Sequence, residues 1–235
     1  MAERVCVVNA GGWGTALSVV LAGKGHDVSL WARRPELAVE LASMRENRAY
    51  LPRIPIPNSV RITSDLDEAV DGASVVLVTA ILRYMGEMAA MLAEVVSPGQ
   101  LVAHGSKGID PVTLMRGSQI LESALGRSHA GKIAAISGPN LAREVASGMP
   151  TATVVACADE AIARSLQATL SARTFRVYTN PDIIGVELCG AMKNVVALAA
   201  GMADGLGYGD NSKAAIITRS LAEVGRLVQR MGGLP

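Results

Sequence analysis

The chain begins its ordered pattern with Val5-Cys-Val-Val-Asn-Ala-Gly-Gly-Trp-Gly14, which runs directly into the apolar segment 15–21. Its first four residues are uncharged and rich in valine, which predicts a buried parallel strand. Gly11 and Gly14 then allow a tight turn, a close backbone approach and a close contact between helix and strand. A dinucleotide pyrophosphate on a helix N-terminus makes those three demands. The alternative is an ordinary strand–turn–helix with a glycine-rich bend.

The spacing departs from Gly-x-Gly-x-x-Gly at Asn9, although Asn tolerates a left-handed backbone better than any other residue except Gly. A second strand is predicted at 27–31, and Arg33 and Arg34 follow it. An acidic residue in that region would hold the ribose hydroxyls of NAD, whereas two guanidinium groups suit a 2′-phosphate. A solvated helix start is an equal alternative. The sequence therefore predicts that NADP(H) is at least tolerated.

Composition excludes several classes of function. The 235 residues carry a net charge of +1 with no basic block, and only 3% are aromatic, which argues against a nucleic-acid partner. The three cysteines are far apart in sequence, so neither a disulfide framework nor a metal site is expected. We find no signal peptide, and the longest apolar runs are about ten residues, half of what a membrane span requires. We expect a cytoplasmic protein.

Alternating strands and helices predict an α/β fold with a Rossmann-type doubly wound parallel sheet. Further strands are expected at 73–79, 101–104, 132–137, 152–156 and 175–178, and helices at 13–22, 35–45, 65–69, 84–95, 141–146 and 160–170. After Asn180-Pro181 two long helices, 183–206 and 211–231, begin an all-helical C-terminal domain. The expected division is a dinucleotide-binding domain at 1–181 and a partial helical substrate domain at 182–235.

Two loops that follow predicted strands carry candidate ligand groups. In His104-Gly-Ser-Lys-Gly108, Lys107 can reach a cofactor or substrate phosphate, although a solvated loop lysine is the commoner reading of such a residue taken alone. In Ser137-Gly-Pro-Asn140, backbone N–H groups at a helix N-terminus make an anion site to which Asn140 adds a donor. The alternative there is an ordinary helix cap with Asn140 at or near the N-cap.

The helix at 183–206 carries the third candidate, Lys193. One face of this helix is small and partly polar, which indicates that something approaches it closely; it holds Glu187, Gly190, Asn194, Ala197 and Gly201. Lys193 lies beside that face in an otherwise apolar helix. A lysine desolvated there would have a lowered pKa, suited to proton transfer with a carbonyl oxygen. The alternative is a lysine that extends from a packed helix to water.

Motifs along the whole chain resemble the bacterial NAD(P)-dependent glycerol-3-phosphate dehydrogenase family. They are Gly-Gly-Trp-Gly-Thr-Ala-Leu (11–17), Leu-Trp-Ala-Arg-Arg (30–34), Ser-Lys-Gly-Ile-Asp (106–110), Ser-Gly-Pro-Asn (137–140), Val-Tyr-Thr-Asn (177–180), Gly-Val-Glu-Leu-Cys-Gly-Ala-Met-Lys-Asn-Val (185–195) and Gly-Asp-Asn-Ser-Lys-Ala-Ala-Ile-Ile-Thr-Arg (209–219). The resemblance implies a hydride transfer between NAD(P)H and glycerone phosphate that gives sn-glycerol 3-phosphate for phospholipid synthesis.

The resemblance also implies roles for individual residues. The dinucleotide site would comprise Gly11, Gly12, Trp13, Gly14, Arg33 and Arg34, with Tyr50 and Ala142 nearby. Lys107 would touch both cofactor and substrate, and Gly138 and Asn140 would contact the substrate. Lys193 matches the proton-transferring lysine. Lys107 and Lys193 are therefore the expected catalytic residues, and no metal is expected.

Three departures from the family pattern leave alternatives open. Asn9 replaces a glycine, and Ala80-Ile81-Leu82 stands where the family has Val-Pro-Ser or Val-Pro-Thr. The family also continues beyond position 235 with an Asp and a Ser-Arg-Asn segment that complete its site, so we expect either a truncated chain or a homologue without normal substrate binding. The alternatives are a dehydrogenase of another small hydroxy acid and a non-catalytic cofactor-binding protein. An apolar face at Ile216, Ile217, Leu221, Val224 and Leu227 predicts a homodimer.

Overall fold

The computed structural model describes residues 2–234 as a twisted sheet flanked by helices and followed by a helical hairpin. The strands are β1 (Arg4–Val8), β2 (Asp27–Trp31), β3 (Glu46–Asn47), β4 (Leu51–Pro55), β5 (Arg61–Thr63), β6 (Val75–Val78), β7 (Leu101–His104), β8 (Ala134–Ser137), β9 (Thr151–Ala156) and β10 (Phe175–Asn180). The helices are α1 (Gly12–Gly23), α2 (Pro35–Met44), α3 (Leu66–Val70), α4 (Met85–Val95), α5 (Gly117–Leu125), α6 (Ala142–Ala146), α7 (Glu160–Leu170), α8 (Ile183–Gly205) and α9 (Asp210–Arg230).

The main sheet has eight strands in the order β10-β9-β8-β7-β6-β1-β2-β5. After β1 the chain builds outward through β2 and β5, then returns to add β6 on the other side of β1. The carboxyl ends of β1 and β6 therefore form a topological switch point, where doubly wound sheets bind ligands. This order confirms the predicted Rossmann-type architecture.

The sheet is not parallel throughout. Ser137 pairs with Val154 and Ala135 with Ala156, so β8 and β9 run antiparallel. The connection contains only the five-residue α6, which rises about 7 Å, whereas β8 extends about 13 Å. Because so short a helix does not return the chain to the opposite edge of the sheet, the predicted doubly wound parallel sheet is mixed, with this one antiparallel pair.

Both faces of the sheet are covered, as its continuous apolar strands predict. In β1, Val5 and Val7 belong to one buried cluster with residues of α1, α2 and α7. Cys6 and Val8 belong to the other, with residues of α3, α4 and α5. A separate hairpin of β3 and β4 lies outside the main sheet, and its Leu51 packs against α1.

The two C-terminal helices pack on each other, and the start of α8 also packs on β8. Within residues 2–234, α8 is the one helix long and apolar enough to cross a membrane. Its first turns are buried against the sheet, whereas most of its later residues are not buried. The small face predicted along α8 is covered at Glu187 and Gly190 but exposed at Asn194, Ala197 and Gly201. That prediction is therefore correct only for the first half of the helix.

Candidate functional site

The glycine turn after β1 has the backbone that its sequence predicts. Asn9 has φ of +86°, the left-handed conformation for which Asn substitutes for Gly. A Cβ on Gly14 would lie 2.2 Å from the Asn9 carbonyl oxygen, and one on Gly12 would lie 2.8 Å from the Tyr50 carbonyl oxygen. The nearest atom to a Cβ on Gly11 would be the side-chain Nδ2 of Asn9, at 3.7 Å. Gly12 and Gly14 are therefore fixed by packing, whereas Gly11 faces open space.

A cavity of about 670 Å³ lies over this turn at the switch point, and we call it the glycine-turn pocket. Its lining includes six of the residues expected at a dinucleotide site: Gly11, Gly12, Trp13, Arg33, Arg34 and Tyr50. The rest of the lining is Asn9, Ala10, Leu37, Thr79, Ala80, Ile81, Tyr84 and Met88. Lys107, also expected there, lies in the second pocket described below. Gly14 and Ala142 lie outside the lining. Gly14 is buried beneath the turn, and a Cβ on Gly12 would lie 3.8 Å from the Ala142 Cβ.

Arg33 and Arg34 both line the glycine-turn pocket. Both are exposed, and Arg34 is the N-cap of α2. Arg33 Nη1 lies 3.1 Å from Glu87 Oε2 on α4, so this guanidinium already has an anionic partner. The structure thus combines both sequence interpretations, because the residues form a solvated helix start and also line the pocket.

A second cavity, of about 750 Å³, lies between the carboxyl ends of the sheet and α8, and we call it the lysine pocket. It brings together all four residues expected to bind substrate: Lys107, Gly138, Asn140 and Lys193. Gly190 allows α8 to lie close to the segments that carry Ser137 and Lys107, since a Cβ at Gly190 would lie 2.8 Å from Ser137 Oγ and 3.9 Å from Lys107 Cγ. The described lining contains no carboxylate.

The lysine pocket is electropositive. Burial lowers the pKa of the Lys107 ammonium below its ordinary 10.5, and the like charge of Lys193 lowers it further. Lys193 itself is exposed, and its Nζ donates to Asn194 Oδ1 at 2.7 Å. The expectation of a desolvated Lys193 is therefore wrong for this chain, because α8 projects beyond the sheet after Gly190. Lys107 is the desolvated member of the pair.

Asn140 does not cap a helix as one alternative proposed. The N-cap of α6 is Leu141, and Asn140 Nδ2 instead donates to Thr153 Oγ1 at 2.9 Å. Thr153 is buried on β9 and donates in turn to the Ser137 carbonyl oxygen. Asn140 Oδ1 is buried without a hydrogen-bond partner among the described residues. The antiparallel β9 thus holds one wall of the lysine pocket.

Sequence reasoning missed a buried polar cluster behind the lysine pocket. Glu187 on α8 accepts hydrogen bonds from the Ser118 backbone N–H at 2.9 Å and the Ser118 hydroxyl at 2.6 Å. It also contacts the Arg116 guanidinium, and His104 Nε2 lies 3.0 Å from its Oε1, outside hydrogen-bond geometry. The signal that could have revealed the cluster is Glu187 itself, the one acidic residue in the first twenty residues of an apolar helix.

This cluster fixes α8 to the sheet. Burial alone raises the pKa of the Glu187 carboxyl, but His104 and the two Ser118 donors outweigh it and lower the pKa to about 2. Ser118 is the second residue of α5, so the carboxylate also caps the positive end of that helix. Because His104 precedes Lys107 and Glu187 precedes Lys193, the cluster joins the two segments that carry the lysines.

Trp13 places the glycine-turn pocket next to the loop that carries Lys107. It lines the glycine-turn pocket, and its Nε1 lies 2.6 Å from where a Cβ on Gly105 would stand, two residues before Lys107. A ligand with its phosphates at the glycine turn can therefore extend past Trp13 toward the lysines. The arrangement suits an elongated anionic ligand beside a smaller anion.

Comparison with known proteins matches both halves of the chain. Residues 4–163 match the model of the NAD-dependent glycerol-3-phosphate dehydrogenase N-terminus, and residues 182–235 match that of its C-terminus. The chain belongs to the NAD-dependent glycerol-3-phosphate dehydrogenase family. It is therefore classed with NAD(P)-dependent oxidoreductases, as the sequence motifs predicted.

Individual relatives agree with this assignment. The chain is 47% identical over 234 residues to glycerol-3-phosphate dehydrogenase [NAD(P)+] of Moorella thermoacetica, covering 99% of this chain and 68% of that protein. It is 46% identical to the Lysinibacillus sphaericus enzyme, at 99% and 69% coverage. The crystal structure of glycerol-3-phosphate dehydrogenase from Coxiella burnetii superposes with a TM-score of 0.91 at 36% identity, covering 99% of this chain and 70% of that one.

Proposed function

We propose that this chain interconverts glycerone phosphate and sn-glycerol 3-phosphate, using the glycine-turn pocket for NAD(P)(H) and the lysine pocket for the substrate. The observation that carries the proposal is the convergence of Lys107 and Lys193 on a pocket whose described lining holds no carboxylate. Two ammonium groups there favour a phosphorylated substrate over a neutral polyol.

The glycine-turn pocket fits a dinucleotide. The Gly12 and Trp13 N–H groups open α1 and have no intrahelical acceptor, so they present two donors and the positive end of the helix dipole. Gly11 leaves room for a phosphate against the backbone. Arg33 and Arg34 lie where the adenosine ribose is expected, which suits NADP as well as NAD.

Lys193 is proposed to exchange a proton with the substrate oxygen at the reacting carbon. A bound nicotinamide supplies or accepts the hydride at that carbon. The Lys193 ammonium polarises the carbonyl and then donates its proton to the developing alkoxide, and in the reverse direction the neutral amine accepts the proton. Lys107 contributes a second positive charge, and the Gly138–Asn140 turn positions the substrate.

We also propose the division into a dinucleotide-binding domain at 1–181 and a helical substrate domain at 182–235. The change from alternating strands and helices to two long helices supports it. A cytoplasmic homodimer completes the proposal. Exposed Ile217 and Leu221 on α9, with Leu198 and Met202 on α8, leave apolar surface of the kind that interfaces cover.

The test measures NADPH oxidation by the purified chain with glycerone phosphate and, separately, with 2-oxo acids. We expect oxidation with glycerone phosphate only. Lys193→Ala should lose turnover while its Kd for NADPH stays within about twofold of the parent, and the matched control Lys132→Ala, at an exposed lysine outside both pockets, should retain both. Turnover with 2-oxo acids instead, or an active Lys193→Ala variant, would overturn the assignment.

A further inference from the structure

Asn47 is a fully buried amide outside the main sheet. It belongs to β3, the two-residue strand of the separate hairpin, and its exposed fraction is 0%. A buried side-chain amide is costly unless its donors and acceptor are paired. The contacts of Asn47 meet that requirement and show what the residue holds together.

The amide of Asn47 has three hydrogen-bond partners, and two of them, Ala10 and Tyr50, line the glycine-turn pocket. Asn47 Nδ2 donates to the Ala10 carbonyl oxygen at 3.0 Å and to Thr15 Oγ1 at 2.8 Å. Its Oδ1 accepts the Tyr50 backbone N–H at 3.2 Å. One side chain therefore ties the turn after β1, the first turn of α1 and the hairpin loop to each other.

The hairpin does not depend on Asn47 alone for its attachment. Leu51 and Ile54 form an apolar cluster with Ala16 of α1, which holds the hairpin on the helix. The Tyr50 carbonyl, in contrast, lies so close to the turn that a Cβ on Gly12 would come within 2.8 Å of it. At that separation a small shift of the loop changes the shape of the pocket.

We propose that Asn47 is a positioning residue for the dinucleotide, which fixes the glycine turn and Tyr50 at the separation that the pyrophosphate requires. The inference rests on the proposed use of the glycine-turn pocket. Because Asn47 acts on the phosphate-binding end and not on the arginines, it affects NADH and NADPH alike. Preorganised backbone donors bind an anion without the cost of ordering them during binding.

The test is a fluorescence titration of NADH and NADPH with Asn47→Ala, Thr15→Val and the control Asn58→Ala. Asn58 is an exposed asparagine between β4 and β5 whose Oδ1 accepts from Arg45 Nε at 3.3 Å. We expect Asn47→Ala to raise both Kd values about tenfold, an amount comparable to one or two buried hydrogen bonds. Thr15→Val, which keeps the side-chain volume but removes one acceptor, should raise both by about threefold.

A purely structural role would lower the melting temperature of Asn47→Ala but leave both Kd values of the folded protein within about twofold of the parent, and that result would overturn the inference. A rise for NADPH alone, or an equal rise in Asn58→Ala, would also overturn it. Should Asn47→Ala fail to fold, Thr15→Val decides on the same criteria. Failure of the parent chain to bind either nucleotide would instead contradict the proposed function.

Discussion

Glu187→Gln tests whether the buried cluster holds α8 on the sheet through its charge. The effect of burial is outweighed by His104 and the Ser118 donors, which lower the pKa of the Glu187 carboxyl from its ordinary 4.5 to about 2. Ionised Glu187 therefore stabilises the folded state by about 3 kcal/mol at neutral pH. A neutral amide loses this contribution and leaves the Arg116 guanidinium, whose side chain is 11% exposed, without its partner.

The sign of the pH dependence follows from the lowered pKa. A carboxyl with a folded pKa below its unfolded value stabilises fully above the unfolded pKa and loses that effect as the pH falls toward the folded one. Between pH 7 and pH 3 the stabilisation by Glu187 should decrease by about 2 kcal/mol. The stability difference between parent and Glu187→Gln should narrow by the same amount.

Urea unfolding at a series of pH values measures both quantities. The control is Glu40→Gln, the same chemical change at an exposed glutamate on α2, which should shift the free energy of unfolding by less than about 0.5 kcal/mol. If Glu187→Gln is equally mild, or if its difference from the parent stays constant down to pH 3, the charge of Glu187 does not hold α8 in place.

Three further predictions concern the pockets. Gly14→Ala should cost about 2 kcal/mol of stability, because its Cβ would meet the Asn9 carbonyl oxygen. Gly11→Ala should cost less than about 1 kcal/mol yet weaken NADPH binding. Thermal melts and NADPH titrations separate the two variants, and equal melting temperatures would show that Gly14 is not fixed by packing. Lys107→Met should lose turnover and raise the melting temperature at pH 7. A basic group with a lowered pKa destabilises the folded state until the pH exceeds its ordinary pKa of 10.5. An unchanged or lower melting temperature would show that Lys107 is not desolvated. Glu87→Gln should release Arg33 from its ion pair and tighten the binding of NADPH relative to that of NADH by about threefold. Titrations measure the ratio of the two Kd values. An unchanged ratio would mean that the ion pair with Glu87 does not compete with the 2′-phosphate for Arg33.

Local signals were sufficient for much of the fold. The uncharged strands, the glycine turn and the long apolar α8 depend on patterns within a few residues, and the structure places them where the patterns predict. The left-handed Asn9 belongs to the same class, because its conformation depends on its own side chain and the adjacent turn.

The missed features depend on partners far along the chain. The N-terminus of α5 receives the carboxylate of Glu187, which lies 69 positions from Ser118, in addition to the local contact in which Gln119 Oε1 accepts the Arg116 backbone N–H. The β3–β4 hairpin is held by an apolar cluster with Ala16 of α1 and by the hydrogen bond from Asn47 to Thr15, which lies 32 positions away. The exposure of Lys193 depends on what packs beside α8, and helix periodicity carries no information about that.

The proposed function requires one dinucleotide to span both pockets, with its phosphates on the glycine turn and its reactive ring beside the lysines. A crystal structure of the chain with bound NADPH would show where each part of the nucleotide lies. We expect the pyrophosphate against the backbone N–H groups of Gly12 and Trp13, and the nicotinamide ring within reach of the Lys193 ammonium. A nucleotide bound elsewhere, or one whose nicotinamide points away from Lys107 and Lys193, would contradict it.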